Sequence, residues 1–263
     1  MRGTGEVEWR RLRTDELRER VQADAMVILP VAALEQHGPH LPVEVDTILG
    51  ETLAVRAAHK IAERGGHAVV LPVVWTGLSE HHMSFGGTVS LDFPAFAAVI
   101  EGVCRSILRD GFKRIVLLNA HGGNENALRT ITDTLTPALG VPIVQFTYWY
   151  AAAVAIAEIL QTQSGLMHAC EAETSMMLAV RPELVAMDRI GLAKANRTPD
   201  VSEVVGGGVY RWRTIASRSA SGVIGNPEAA TAEKGERLFE AIATALANKL
   251  CNPELWALPW QAS

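Results

Sequence analysis

The strongest constraint on this chain is an alternation of two hydrophobic periods. Four short apolar runs, residues 25–31, 68–74, 114–119 and 141–146, have the length and continuous hydrophobicity of strands buried on both faces. Helical spacing takes over between them. In residues 46–63, Leu49, Leu53, Ala57 and Ile61 recur every four positions, and Gly65-Gly66 supplies a C-terminal stop. Residues 93–109, 124–135, 172–180 and 229–248 read as further helices, whereas 187–210 have no clean period and read as irregular. Strands alternating with helices predict an α/β fold with a mainly parallel sheet and helices on both faces. Neither a repeat nor a linker-like stretch intervenes, so one domain is expected over residues 1–263.

Composition narrows the partners. Hydrophobic residues make up 48%, enough for a sizeable core. Acidic residues outnumber basic ones, 29 to 24, and no basic block exists, which argues against nucleic acid. The cluster Arg10-Arg11-Leu12-Arg13 is too short to change this and reads as a solvated stretch before the first helix. Residues 1–18 lack the apolar core of a signal peptide, and no run of apolar residues is long enough to span a bilayer. Cys104, Cys170 and Cys251 form neither a disulfide framework nor a CxxC pair. A soluble protein of a reducing cytoplasm is expected.

In a parallel sheet, ligands gather at the carboxyl ends of the strands. Two polar loops sit there. The first holds Glu35-Gln36-His37-Gly38-Pro39-His40 and leads to Asp46 at the start of a helix. Glu35 and His37 are two apart and share one side of an extended segment, and a carboxylate at a helix start is favoured by the dipole. Glu, His and Asp together suit Zn²⁺ or Mn²⁺. The second loop is Asn119-Ala120-His121-Gly122-Gly123-Asn124, where glycines permit a sharp turn and close approach to a ligand. A third cluster, His168-Ala169-Cys170-Glu171-Ala172-Glu173, again offers His and carboxylates; Glu171 and Glu173 are either ligands or favourable first-turn carboxylates. Cys170 reads as a buried packing residue rather than a nucleophile. His81 and His82 either line a substrate pocket, reach into a neighbouring subunit or stabilise the loop. Gly206-Gly207-Gly208 lacks the strand–glycine–helix context and the lysine of a phosphate loop.

Taken in order, Glu35 to Pro42 with Asp46-Thr47, then Ser79-Glu80-His81-His82 with Phe85-Gly86-Gly87-Thr88, then His121 to Asn124, then His168 with Glu171, Glu173, Thr174 and Ser175 resemble the motifs of the creatininase family. The match runs from about Ile28 to Pro182. The resemblance implies a three-layer α/β/α sandwich and a binuclear site of two divalent ions, Zn²⁺ or Mn²⁺ with Fe²⁺ an option. It makes Glu35, His37, Asp46 and His121 ligands, with Asp46 the bridge, and His168 the proton-handling catalytic residue. Creatininase carries a tyrosine and a metal-binding glutamate after its second-motif histidine, where this chain has Gly122 and Gly123. Glu173 is therefore taken as the remaining carboxylate ligand. Gly122, Gly123, Trp149 and His82 are taken as substrate contacts. The implied activity is hydrolysis of a C–N amide bond, in a lactam, another cyclic amide or a formamide. A ring or C–C hydrolase of a sugar-like ketone and a non-catalytic metal-binding homologue are the alternatives. The resemblance also implies a homo-hexamer, whose interfaces would take up Trp212, Trp256 and Trp260.

Overall fold

The computed structural model describes residues 5–194, 198–199, 201–258 and 260, with residue 202 described by its backbone alone. Among the described residues, four strands form a parallel sheet: β1 (Met26–Val31), β2 (Ala68–Val70), β3 (Arg114–Asn119) and β4 (Ile143–Thr147), in the order β2-β1-β3-β4. The helices are α1 (Thr14–Gln22), α2 (Val45–Glu63), α3 (Phe93–Arg109), α4 (Glu125–Leu139), α5 (Tyr148–Ala151), α6 (Ala153–Ile159), α7 (Glu171–Val180), α8 (Val201–Val205) and α9 (Ala232–Leu250).

The two-residue period of a strand explains the layering. Met26 and Ile28 point to one side, where they meet Leu49 and Leu53 of α2, Met176 of α7 and Phe239 of α9. Val27, Leu29 and Val31 point to the other, against Ile100 and Cys104 of α3 and Leu128 of α4. Both faces of the sheet are thus covered, and each fully buried aliphatic or aromatic side chain contributes about 1.5–3 kcal/mol. The three-layer α/β/α expectation is met.

Several boundaries differ from the periodicity. The strand expected over 68–74 stops at Val70, because Pro72 carries no N–H for the ladder; pairing resumes only as a single bridge between Val31 and Val74. The helix expected to end at 135 runs another turn through Pro137 and is closed by Gly140 in the left-handed region, φ +68°. Residues 187–210 are not wholly irregular: Met187–Leu192 is a 3₁₀ turn and α8 follows, while 195–197 and 200 lie outside the described residues. Helices α5 and α6 have no counterpart in the sequence reading.

Strand order decides where a site can form. The chain leaves β1 towards β2 on one side, then crosses to β3 on the other, so β1 and β3 are neighbours whose outgoing loops diverge. Such a switch point opens a crevice at the carboxyl edge. The loop after β1 carries Glu35 and His37, and the loop after β3 carries His121.

Candidate metal centre

Asn124 ties the crevice together. Its Nδ2 donates to the Ala32 carbonyl after β1, and its Oδ1 accepts from Leu78 N. His121 is held from two directions: its backbone N–H donates to Asn119 Oδ1, and its ring Nε2 donates to the Leu78 carbonyl at 3.1 Å, with Ser79 Oγ at 3.2 Å. A carbonyl only accepts, so Nε2 carries the proton and Nδ1 turns inward. There it stands 3.3 Å from Glu35 Oε1 and 3.1 Å from Asp46 Oδ2. His37 is fixed the same way. Its Nδ1 donates to the Glu35 carbonyl at 3.1 Å, so its Nε2 faces Asp46 Oδ1 at 3.2 Å and Glu173 Oε2 at 4.0 Å.

These side chains are buried: Glu35, His37, Asp46, His121 and Glu173 are each 4% exposed or less. Acceptor atoms are aimed at one another, and among the described residues Glu35 Oε2, His37 Nε2 and Asp46 Oδ2 find no hydrogen-bond partner. Buried lone pairs that converge without donors are costly unless a cation sits among them. Backbone carbonyls that fix the far nitrogen of each histidine are the usual support of a metal-binding imidazole. Among the described residues, Glu35 groups with His37 and His168, Glu35 with His81 and His121, and His37 with Asp46 and Glu173, each as ligand atoms within 4.8 Å of one another. The donor set fits a divalent metal of the zinc or manganese type.

The electrostatics agree. Burial opposes charge on His37, yet Asp46, with Glu173 and Glu35, outweighs it and raises the imidazole to about 9. Burial likewise opposes charge on His121, and Glu35 and Asp46 overcome it and raise its pKa well above the ordinary value. Burial pushes the Glu173 carboxyl up to about 8, with Asp46 and Glu35 adding to the effect. Asp46 goes the other way: burial resists, but His37 and His121 hold it below the ordinary carboxylate range. The centre is a concentration of negative charge that draws in protons or metal cations.

His168 and His82 stand beside this centre and stay neutral, because burial lowers both and neighbouring histidines lower them further. His168 Nδ1 is 3.7 Å from Glu35 Oε1, and its ring lies 4.3 Å from that of His37. His82 Nε2 is 3.2 Å from Glu35 Oε1. A cavity of about 670 Å³ opens over the cluster, lined by Gly122, Gly123, Trp149 and His168 among others. Glu35, His37, Asp46, His82, His121, His168 and Glu173 are thus brought to one place, with Gly122, Gly123 and Trp149 on the cavity wall.

Two near neighbours are separated by the fold. Glu171 is fully buried but turns away: Gln161 N, Thr162 N, Thr162 Oγ1 and Lys234 Nζ all donate to its carboxylate. Cys170 is buried with its thiol pushed up to about 12 by desolvation. Sequence reading left two others without a definite role. His81 reaches the cluster, its ring 5.6 Å from that of His121. Gln36 bridges His82 and Gly222. For His81 the signal was present, as the doublet His81-His82; for Gln36 it lay only in position between two ligand types.

Gly123 shows why the second motif takes its form here. A Cβ at 123 would lie 2.2 Å from the Leu78 carbonyl oxygen, 2.4 Å from His121 Nε2 and 2.8 Å from His81, whereas one at 122 meets nothing within 4 Å. Any side chain at 123 is shut out, and the carboxylate that stands near His37 Nε2 besides Asp46 is Glu173 of α7.

Known proteins share this arrangement of chain. A family model described as Creatininase: Creatinine amidohydrolase matches residues 10–250. The chain is 32% identical to a mycofactocin precursor peptide peptidase of Mycolicibacterium smegmatis, over 86% of this chain and 84% of that protein. It is 30% identical to a creatinine amidohydrolase of Pseudomonas putida, over 94% of this chain and 95% of that one. A solved manganese creatininase superposes with a TM-score of 0.77 at 27% identity, covering 93% of this chain and 97% of the other; a Zn–Zn form does so at 28% identity with the same TM-score and coverage. The shared sheet, the shared motifs and a match over most of the chain's length place this protein in the creatininase family, whose named relatives here are hydrolases.

Proposed function

We propose that the chain is a metal-dependent hydrolase that cleaves a C–N amide bond in a small molecule, using two divalent ions, Zn²⁺ or Mn²⁺ with Fe²⁺ as a third option. The observation that carries this reading is the split of Asp46, whose Oδ1 faces His37 and whose Oδ2 faces His121. A carboxylate whose two oxygens address two different histidines could be shared between two ions. Glu35 and His121 would complete one ion's protein ligands, and His37 and Glu173 the other's. When bound, such ions lower the pKa of a water and polarise a carbonyl oxygen.

The chain's own groups do the rest. His168 is neutral, borders the cavity and presents Nδ1 to the centre, so it takes a proton from the attacking water and returns it to the departing nitrogen. Trp149 and the Gly122 backbone line the wall where substrate rests. The cavity exceeds what one lactam ring fills and suits a larger amide. Arg211 lines it without a hydrogen bond or ion pair among the described residues, which favours an amide bearing an anionic group. Val204, Val205, Tyr210 and Trp212 are exposed, and a homo-hexamer would cover them; it would elute at about six times the 28.4 kDa chain mass. Cys104, Cys170 and Cys251 are free thiols, in keeping with a reducing cytoplasm. Among the described residues, no helix is long and apolar enough to cross a membrane.

Elemental analysis tests the metal centre and a panel of amide substrates tests the activity. About two equivalents of metal per chain are expected, lost in the Glu35→Gln/His121→Ala double variant. His168→Ala is expected to lower kcat about 10²–10⁴-fold with metal content unchanged. Protein that refuses both Zn²⁺ and Mn²⁺, or a His168→Ala variant of full activity, overturns the reading.

A further inference from the structure

Gln36 lies between the two candidate ligands Glu35 and His37, and its side chain points into neither the core nor solvent. The Gln36 amide is enclosed by groups of fixed polarity. Gly38 N–H donates to Oε1 at 2.8 Å, which settles which end is oxygen. Nε2 then has two protons to give. One goes to the Gly222 carbonyl at 3.1 Å. The remaining neighbours are His82 Nδ1 at 3.0 Å and His168 Nε2 at 3.1 Å. His168 Nε2 is also 2.8 Å from the Gln36 backbone carbonyl, which only accepts, so that nitrogen carries a proton and takes none from the amide. The second amide proton therefore goes to His82 Nδ1. His82 Nδ1 is bare, and its proton sits on Nε2, 3.2 Å from Glu35 Oε1.

We propose that Gln36 is a positioning residue that divides the labour of the two histidines beside the metal centre, holding His82 as a proton donor to Glu35 with its side chain and His168 as a proton acceptor facing the site with its main chain. Both rings carry the proton on Nε2, yet they are turned so that opposite atoms face inward: His82 offers Nε2–H and His168 offers the lone pair of Nδ1. His82 thereby fixes one oxygen of Glu35, while Oε2 has no partner among the described residues. Gly222 belongs to the device. Its φ is +79°, and a Cβ there would stand 2.1 Å from Gln36 Oε1, so only glycine lets the amide reach its place. The tautomers follow from the hydrogen bonds alone; their use in catalysis rests on the hydrolase reading.

The test is ring ¹⁵N NMR of histidine-labelled full-length protein, metal-free and zinc-loaded, with Gln36→Met and Gly222→Ala as variants. Wild type is expected to show protonated Nε2 and bare Nδ1 on both His82 and His168. In Gln36→Met, which keeps side-chain length but removes the donor, His82 Nδ1 is expected to shift as its hydrogen bond is lost, with His168 unchanged. Gly222→Ala should reproduce that shift without touching either ring. On an amide that the protein hydrolyses, Gln36→Met should lower kcat about tenfold or more with KM and metal content nearly unchanged. Wild-type His82 protonated on Nδ1, or a Gln36→Met spectrum identical to wild type, overturns the proposal. If no amide is hydrolysed, the hydrolase reading fails while the spectra still decide the role of Gln36.

Discussion

At the scale of single residues, positions two apart in sequence have opposite duties. Glu171 and Glu173 both sit in the first turn of α7, yet Glu171 anchors the fold through Lys234 and Glu173 faces the centre. Glu171→Gln is expected to cost about 3 kcal/mol, because it strands a buried lysine, while metal content is retained; Glu173→Gln should do the reverse, losing metal at little cost in stability. Denaturant titration beside elemental analysis separates the two. A second pair is Gly122 and Gly123. Gly123→Ala is expected to displace His121 and lower metal occupancy, and Gly122→Ala to leave it near wild type, as the space about each dictates. The candidate ligands were legible in the sequence through the ordered motifs of the resemblance, with Glu35, His37 and His121 in loops that follow strands and Asp46 at the start of α2. The choice between Glu171 and Glu173 was not, since it depends on Lys234, which a different helix delivers from sixty-three positions away.

At the scale of elements, the strands and long helices followed from period and length. Helices at 93–109 and strands at 114–119 stand where their patterns placed them, because Asp92 caps the first with its side chain and flanking polar residues bound the second. Errors arose where backbone chemistry overrode hydrophobicity: Pro72 cut a strand short, and α4 ran on past Pro137 until Gly140 closed it. The short helices α5 and α6 were invisible, since segments of four and seven residues carry too little periodicity to register. The packing of α7 on α9 also left no pattern to read. It depends on Gly235, where a Cβ would lie 2.0 Å from the Ser175 carbonyl oxygen. Gly235→Ala should push α9 from α7, destabilise the fold by about 1–3 kcal/mol and shift Glu173 with it. Melting curves and metal titrations of that variant are expected to change together; a normal melt with normal metal binding would separate α9 from the site.

At the scale of the whole molecule, stability and metal affinity run against each other with pH. His37, raised from 6.5 to about 9, and Glu173, raised from 4.5 to about 8, both hold protons more tightly folded than unfolded. Their contribution to the stability of metal-free protein is complete below the unfolded values and is lost as pH rises through the folded ones. Metal-free protein should therefore weaken from about pH 4.5 upward, through about pH 8 on account of Glu173 and between about pH 6.5 and 9 on account of His37, by on the order of 3 kcal/mol for His37 alone. Metal binding must displace those same protons, so affinity should rise across the same window, with proton release detectable by calorimetry in buffers of different ionisation enthalpy. Affinity that falls with rising pH would mean that His37 and Glu173 are not ligands.

The dispersal of the candidate ligands along the chain bears on biogenesis. Glu35, His37 and Asp46 emerge together and early from the ribosome, but His121 waits for β3 and Glu173 for α7, two crossovers and more than a hundred residues later. A nascent chain displays only half of a binding site, open and weak. On the metal-centre reading, secure capture of an ion belongs after the sheet has closed, so the metal carried would be set by what is available to the finished fold rather than by what the growing chain first meets.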